Sequence, residues 1–243
     1  MAIKISLKEL IEAGAHFGHQ SRRWNPKMEE YLHGVQDGVH VFDLTKTEEC
    51  LTEALNSLTE TVKEGGVVLF LGSKKQASEK VEEVAKAVEM PYVNERWLGG
   101  TITNFNEIQK SIKRLADMKA KREAGEYQSY TKKERVEIDR EIERLERFFG
   151  GISSLTNIPS ALVVIDTKRE QAAIKEAIQA GVTTIAIVDS NSDPTQVDYP
   201  IPMNDDATKA VEYVLGLMQE AIEEGKTAAK KASKKKEDGK KDN

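Results

Sequence analysis

The sequence predicts an α/β protein with a mostly parallel sheet and an inserted helical hairpin. Short apolar runs alternate with amphipathic segments before residue 100 and again after residue 159. Strands and crossover helices produce this alternation when a parallel sheet is covered on both faces. Between the two regions lie two helical patterns rich in Lys, Arg and Glu, each with a narrow apolar stripe. Such helices face water or a partner over most of their surface.

The first forty residues predict a short helix followed by irregular structure. Ser6 and Glu9 form a capping-box pattern, and Gly14 suits a left-handed helix end. The segment from His16 to His40 has no clean period and is rich in His, Arg, Trp, Asn and Gly. We therefore expect a long loop there, and loops of this length inside a compact domain are usually functional.

From Val39 the alternation becomes regular. Continuous apolar runs predict strands buried on both faces, and capping patterns ahead of apolar residues at helical spacing predict the helices. The predicted elements are a strand at Val39–Phe42, a helix capped by Thr45 and Glu48, a strand at 67–71, a helix capped by Ser73 and Gln76, and a brief strand at Tyr92–Val93. After the interruption come a strand at Ala161–Ile165, a helix opening at Thr167 with Glu170, strands at 184–188 and 199–201, and a helix capped by Asn204.

The interruption itself predicts an antiparallel helical hairpin. Ile108, Ile112 and Leu115 recur at helical spacing, and after a turn at 125–130 the pattern resumes behind a capping box at Thr131 and Glu134. A first arm over 104–124, at 1.5 Å per residue, would project roughly 30 Å. The predicted parts are a discontinuous globular α/β domain at 1–100 and 159–225, the inserted hairpin (coiled coil) at 101–158, and a disordered lysine-rich tail at 226–243.

The charge distribution limits how the chain can meet a nucleic acid. The net charge is −5, but residues 226–243 carry eight lysines against three acids, so residues 1–225 carry −10. Any nucleic-acid contact there must be a local basic patch, because phosphate neutralisation needs Lys and Arg. Cys50 is the only cysteine, which excludes an intramolecular disulfide. No apolar run approaches the roughly 20 residues of a membrane span, and the first residues lack signal-peptide or transit-peptide character, so we expect a cytoplasmic protein.

Two clusters and one helix start favour an RNA partner. In the segment 16–28 the adjacent Arg22 and Arg23 offer bidentate phosphate contacts and Trp24 offers a flat face for stacking. The segment 94–105 repeats an Arg-Trp pair beside two glycines. Lys74 and Lys75 lie between a predicted strand and the start of a predicted helix, an arrangement that binds anions. No helix here has side chains spaced for a DNA groove. The predicted RNA-binding residues are Arg22, Arg23, Trp24, Asn25, Lys27, Lys74, Lys75, Arg96, Trp97, Thr103 and Asn104.

Other interpretations of these residues remain open. Trp24 could simply anchor a surface loop, and at the second cluster the anchoring of the hairpin by Trp97 is the stronger interpretation. All four histidines, His16, His19, His33 and His40, lie within the first forty residues and suggest zinc, but no cysteine joins them, so we expect no metal site. Acids near strand ends suggest a magnesium-dependent nucleotide-binding or phosphate-binding enzyme, yet no nucleophile and base can be paired, so we expect no catalysis and no cofactor. The acids near strand ends are Asp43, Asp166 and Asp189, and Asp193, Asp205 and Asp206 could add magnesium ligands.

Three stretches, at 14–28, 96–105 and 201–207, resemble signatures of the family of the second protein of the bacterial small ribosomal subunit. The resemblance implies a flavodoxin-like three-layer sandwich with the hairpin inserted between the third and fourth sheet strands. It implies a structural protein near the head–body junction of that subunit, with no catalysis, small-molecule substrate or membrane contact. The implied partners are small-subunit rRNA and neighbouring ribosomal proteins, including the first, mRNA-binding protein. Two acids, Glu29 and Glu30, depart from the family's basic character after Met28, so RNA contact by residues 29–38 is not expected. A protein-only helical adaptor is a further alternative.

Overall fold

The computed structural model of the chain describes residues 3–238, and side-chain surroundings as far as residue 231. It begins with α1 (Leu7–Glu12), capped by the side chain of Ser6. A three-stranded antiparallel sheet follows, in the order β1-β3-β2, formed by β1 (Phe17–Gln20), β2 (Leu32–Gln36) and β3 (Val39–Phe42). The prediction of a long loop from His16 to His40 was wrong. The strands are four or five residues long with bulged registers, so they leave no period in the sequence.

The remaining chain forms the α/β unit. Its elements, in order, are α2 (Leu44–Lys63), β4 (Val68–Leu71), α3 (Lys75–Ala87), β5 (Tyr92–Val93), α4 (Phe105–Glu123), α5 (Lys132–Phe149), β6 (Ala161–Ile165), α6 (Gln171–Ala180), β7 (Thr183–Val188), β8 (Tyr199–Pro202) and α7 (Thr208–Asp238). Five parallel strands form the main sheet, in the order β5-β4-β6-β7-β8. Counted from β4, this is the 2-1-3-4-5 order of flavodoxin-like folds. The predicted parallel sheet is confirmed, but Val39–Phe42 lies outside it in the antiparallel sheet.

Helices cover both faces of the parallel sheet. Alternate residues of β4 point to opposite sides of the sheet. Val68 and Phe70 belong to the core formed with α2, α3 and α7, whereas Leu69 and Leu71 belong to the core formed with α6 and the buried residues of α4 and α5. Burial of both faces explains why the sheet strands read as continuous apolar runs. No helix among residues 3–238 has the length and apolar character that a membrane span requires.

Four helices begin at residues other than those predicted. The residue before α3 is Lys74, and not Ser73, whose hydroxyl contacts Glu170 and Arg169 instead of capping the helix. Asp43, and not Thr45, caps α2, since its carboxylate accepts a hydrogen bond from the Thr45 amide at 3.0 Å. Thr167 lies inside a turn in which Asp166 accepts from the Arg169 amide, and α6 starts at Gln171. Asn204 accepts from the Asp206 amide in a similar turn ahead of α7. Short acidic and amide side chains favour such turns as readily as helix caps.

The inserted helices α4 and α5 pack against each other. The predicted capping box at Thr131 and Glu134 is confirmed. Ion pairs join the helices at Arg114–Glu141 (3.3 Å) and Arg122–Asp139 (3.1 Å), beside a buried stripe formed by Ile108, Leu115, Ile142, Leu145 and Phe149. Coiled-coil geometry stays a prediction. The insertion lies between the second and third strands of the parallel sheet in chain order, because Val39–Phe42 does not count among them.

The last helix continues into the lysine-rich segment. α7 extends to Asp238, well past residue 226, where the disordered tail was expected to begin. Residues 239–243 of that predicted tail lie outside the described residues. The domain boundaries proposed from the sequence stay predictions.

Candidate nucleic-acid interface

Arg22 and Arg23 lie side by side on a short 3₁₀ turn, Ser21–Arg23, that follows β1. Both side chains are exposed, and neither forms an ion pair with any residue of the described chain. A guanidinium without an internal carboxylate keeps all its donors for an external anion, and two neighbouring ones match two phosphates or one phosphate bound from two sides. We call residues 21–27 the arginine loop.

The other residues of the arginine loop have partners within the protein. Trp24 is half-buried and stacks on His40, with ring centroids 4.6 Å apart and an interplanar angle of 26°. Asn25 accepts a hydrogen bond from the Lys27 amide at 3.0 Å. The Lys27 ammonium lies 2.7 Å from Asp193 and 3.2 Å from the Thr195 hydroxyl. These three side chains therefore shape the loop, and the anchoring interpretation of Trp24 gains support from its stack on His40.

The arginine loop is fastened to the segment that follows β7, residues 189–198, which we call the β7–β8 loop. The His19 amide donates to Ser190 Oγ at 2.7 Å, and the Asn25 amide donates to the Ser190 carbonyl at 2.7 Å. His19 Nδ1 lies 2.8 Å from Asp189 Oδ1. The hydrogen bond to Asp189 raises the pKa of His19 above its ordinary value, against the opposite effect of burial.

Lys74 lies at the carboxyl end of β4, where the strand order of the sheet reverses. Its ammonium is 2.7 Å from Asp205, 2.5 Å from Asp206 and 3.6 Å from Asp166, and its side chain is 13% exposed. Burial disfavours the charged ammonium, but these carboxylates raise the pKa of Lys74 above its ordinary value. Lys74 is thus occupied by internal acids, whereas Lys75 is exposed and forms no ion pair within the described part of the chain.

Asp205 is buried within this group of acids. Burial, together with the charges of Asp189 and Asp166, raises the pKa of Asp205 to about 7, although the Lys74 ammonium opposes the change. Three of the acids considered for an enzyme, Asp166, Asp205 and Asp206, thus surround Lys74. Asp43 and Asp193 instead cap helical turns.

One group of side chains offers metal ligands among the described residues. His19, Asp189 and Asp206 present ligand atoms that all lie within 4.8 Å of one another. Asp206 also contacts Lys74, and Asp189 accepts hydrogen bonds from the amide and hydroxyl of Ser190, so both carboxylates already have partners. The four histidines considered for zinc do not form a group of ligands in the described chain; of them only His19 joins this one.

The second predicted cluster is organised by a residue that the sequence did not single out, Glu176 of α6. Its carboxylate accepts from the Trp97 indole at 3.0 Å, the Gly100 amide at 2.8 Å and the Ile102 amide at 3.1 Å, and from the amide and hydroxyl of Thr103 at 3.2 and 3.1 Å. Although burial acts in the opposite direction, these donors lower the pKa of Glu176.

Trp97 is consequently a buried anchor and not a free stacking surface, with 7% of its area exposed. Arg96, next to it, is exposed and has no ion pair in the described chain. Asn104 is exposed and precedes the first inserted helix without capping it by its side chain. A signal for Glu176 existed in the sequence, since it is the acid between the inward residues Ala173 and Ala177 of the α6 pattern.

The structure therefore divides ten of the eleven predicted RNA-binding residues into two sets, and Asn104 is exposed without capping α4. Trp24, Asn25, Lys27, Lys74, Trp97 and Thr103 have internal partners. The cations without an internal carboxylate are Arg22, Arg23, Lys75 and Arg96. Such cations can bind phosphate groups without first breaking an ion pair.

In the comparison with known families, the model described as Ribosomal protein S2 matches residues 10–225 of the chain.

Proposed function

The chain belongs to the ribosomal protein S2 family, and we propose that it binds rRNA of the small subunit mainly through Arg22 and Arg23. Members of this family are structural components of the small ribosomal subunit in translation, and not enzymes. We propose the same structural, non-catalytic role here. Contact with rRNA and with neighbouring proteins is the finer part of the proposal.

The observation that carries the RNA contact is the absence of internal partners at Arg22 and Arg23. Residues 1–225 have a net charge of −10, so acids are plentiful, yet neither guanidinium pairs with one in the described chain. Other exposed cations of the described chain, such as Arg135 and Arg140, also lack an ion pair, so the distinguishing feature here is that two such guanidiniums are adjacent on one short turn. A phosphate partner supplies the missing negative charge.

The shape of the proposed interface suits structured RNA. Two further exposed cations without an ion pair, Lys75 and Arg96, lie after the carboxyl ends of β4 and β5. Asn104 is an exposed polar residue just before the first inserted helix. These residues lie on loops and helix starts, which fit irregular RNA through its backbone and shape. We assign Trp24, Asn25, Lys27, Lys74, Trp97 and Thr103 the role of holding these loops in position.

The inserted helices are proposed to form an antiparallel coiled-coil arm that contacts neighbouring proteins and rRNA. Their buried apolar stripe is narrow, and charged side chains dominate the rest of their surface. The two helices do not need so large a charged surface for their own stability. From its family we further propose a position near the head–body junction of the subunit and contact with the first, mRNA-binding protein of that subunit.

The experiment that tests this function is sedimentation of the purified protein with small subunits over a series of salt concentrations. We expect co-sedimentation at low salt, release as the salt concentration rises, and protection of a defined rRNA segment from chemical cleavage. Binding without any protected rRNA would favour the protein-only adaptor instead. Heat released on titration with a nucleotide and Mg²⁺ would favour the enzyme alternative.

A further inference from the structure

We propose that the β7–β8 loop acts as a clamp that holds the arginine loop in its RNA-binding orientation. In this proposal Ser190 and Asp189 are positioning residues, which affect RNA binding without touching RNA. The proposal rests on the proposed function, because it concerns how Arg22 and Arg23 reach their phosphates. It adds a part of the molecule that the basic clusters do not point to.

The contacts between the two loops enclose the arginine pair on both sides. Before the pair, the His19 amide donates to Ser190 Oγ at 2.7 Å and His19 Nδ1 lies 2.8 Å from Asp189. After the pair, the Asn25 amide donates to the Ser190 carbonyl at 2.7 Å, and Lys27 lies 2.7 Å from Asp193. Ser190 thus binds the chain on both sides of Arg22 and Arg23 through one side-chain oxygen and one carbonyl oxygen.

Gly18 gives independent evidence that the two loops fit closely. A Cβ at this position would lie 2.8 Å from Ser190 Oγ and 3.1 Å from the carbonyl oxygen of His40. Both distances are shorter than ordinary van der Waals contact, and the second neighbour is backbone that cannot turn aside. Only glycine lets β1 approach Ser190 closely enough for the His19 amide to reach it.

Apart from the β7–β8 loop, the arginine loop is held by the stack of Trp24 on His40 and by the Ser21 amide, which donates to the Gly38 carbonyl at 3.0 Å. The turn that carries Arg22 and Arg23 is only three residues long and has no side-chain cap. The preceding strand pairs with β3 at two register positions, Phe17 with Val41 and Gln20 with Val39, and the register shifts between them. A loop that is free to move must be ordered on binding, and that cost weakens association.

The clamp itself is fixed to the core. Asp189 is fully buried at the end of β7, where its Oδ1 accepts from the amide and hydroxyl of Ser190 and its Oδ2 accepts from the Asp205 amide at 3.2 Å. β7 is flanked by β6 and β8. A displacement of Ser190 therefore requires a change at a buried carboxylate in the interior of the sheet.

Two substitutions with matched controls test the clamp. Ser190→Ala removes the hydroxyl that holds His19, whereas Ser192→Ala removes a buried hydroxyl of the same loop that donates to the neighbouring Asn191. Gly18→Ala places a methyl group against Ser190, whereas Gly34→Ala places one in open space on a strand of the same small sheet. Each variant is bound to small subunits from which this protein has been removed by salt washing, and its thermal unfolding is recorded separately.

We expect Ser190→Ala and Gly18→Ala to weaken binding by about tenfold, the scale of the cost of ordering two long side chains on association. Ser192→Ala and Gly34→Ala should bind like the unchanged protein. The decisive comparison is Ser190→Ala in a protein that already carries Arg22→Glu and Arg23→Glu. If Ser190 acts by positioning the arginines, Ser190→Ala should cause no further loss there.

The possible results separate the clamp from the proposed function. If Arg22→Glu with Arg23→Glu does not weaken binding, the RNA contact itself is wrong. If the arginine variant weakens binding but Ser190→Ala behaves like Ser192→Ala, the contact stands and the clamp is wrong. An equal loss from Ser190→Ala in both backgrounds would show that it acts through the overall fold, which also contradicts the clamp.

Discussion

The indole of Trp97 donates a 3.0 Å hydrogen bond to the carboxylate of Glu176, and this pair joins the loop before the inserted helices to α6. The same carboxylate accepts from the Gly100 and Ile102 amides. An aromatic residue with the appearance of a base-stacking surface in the sequence is thus a structural anchor, and Arg96 beside it remains the exposed cation of the loop.

Glu176→Ala should lower the free energy of unfolding by about 3 kcal/mol, because a buried indole N–H and several amides lose their acceptor. Chemical denaturation measures this change. Gln179→Ala, at an exposed site on the same helix, is the control and should stay within about 0.5 kcal/mol of the unchanged protein. Equal effects of the two substitutions would contradict the anchoring role of Glu176.

Lys74 and Lys75 are adjacent but should differ in function. Lys74→Met leaves Asp205 and Asp166 without their cation and should lower the free energy of unfolding by about 3 kcal/mol. Lys75→Met should change it by less than about 0.5 kcal/mol, since Lys75 is exposed, but should weaken binding to small subunits. Denaturation and binding of the two variants are compared side by side. A Lys74→Met protein as stable as the unchanged one would contradict our assignment.

Asp205 should make stability depend on pH near neutrality. Its pKa is raised to about 7 in the folded protein, mainly by burial, from an unfolded value of about 3.9. The protonated carboxyl therefore contributes to the free energy of unfolding in full below about pH 4, and this contribution is lost as the pH rises through about 7. Denaturation between pH 5 and pH 8 should show this loss, and Asp205→Asn should reduce it. An unchanged pH dependence in Asp205→Asn would show that another group is responsible.

Two neighbouring glycines at the end of α5 provide a test of the junction between the inserted helices and the sheet. A Cβ on Gly151 would lie 2.3 Å from the carbonyl oxygen of Tyr92 in the edge strand β5, whereas one on Gly150 would meet the flexible side chain of Glu146 at 2.9 Å. Gly151→Ala should therefore destabilise the protein by about 2–3 kcal/mol, and Gly150→Ala by much less. Thermal unfolding of both variants is the measurement, and a reversed order would mean that this junction is packed differently.

Local patterns in the sequence were sufficient for the main sheet but not for its surroundings. Buried parallel strands such as Ala161–Ile165 read as apolar runs, and the capping box at Thr131 is local, so both could be predicted. The antiparallel sheet could not, because β1 and β3 are short and pair across the eighteen residues that separate them. Strands of this kind have no periodicity of their own.

The candidate site was predictable in composition but not in the role of each residue. Trp24 and Trp97 both stand beside an arginine, yet their surroundings come from the distant residues His40 and Glu176. Lys74 and Lys75 are neighbours, and only the folded chain brings Asp205 to the first of them. Which cations stay free is decided by long-range contacts, and these are absent from any local motif.

Binding of the Arg22→Glu, Arg23→Glu variant to depleted small subunits tests the central claim most directly. The control is Lys8→Glu with Lys63→Glu, which makes the same change in charge at exposed lysines of α1 and α2, outside the arginine loop in the sequence. The arginine variant should bind about tenfold more weakly or worse, and the slope of log affinity against log salt should fall by about two, whereas the control should bind normally. An arginine variant with the affinity and salt dependence of the unchanged protein would contradict the account.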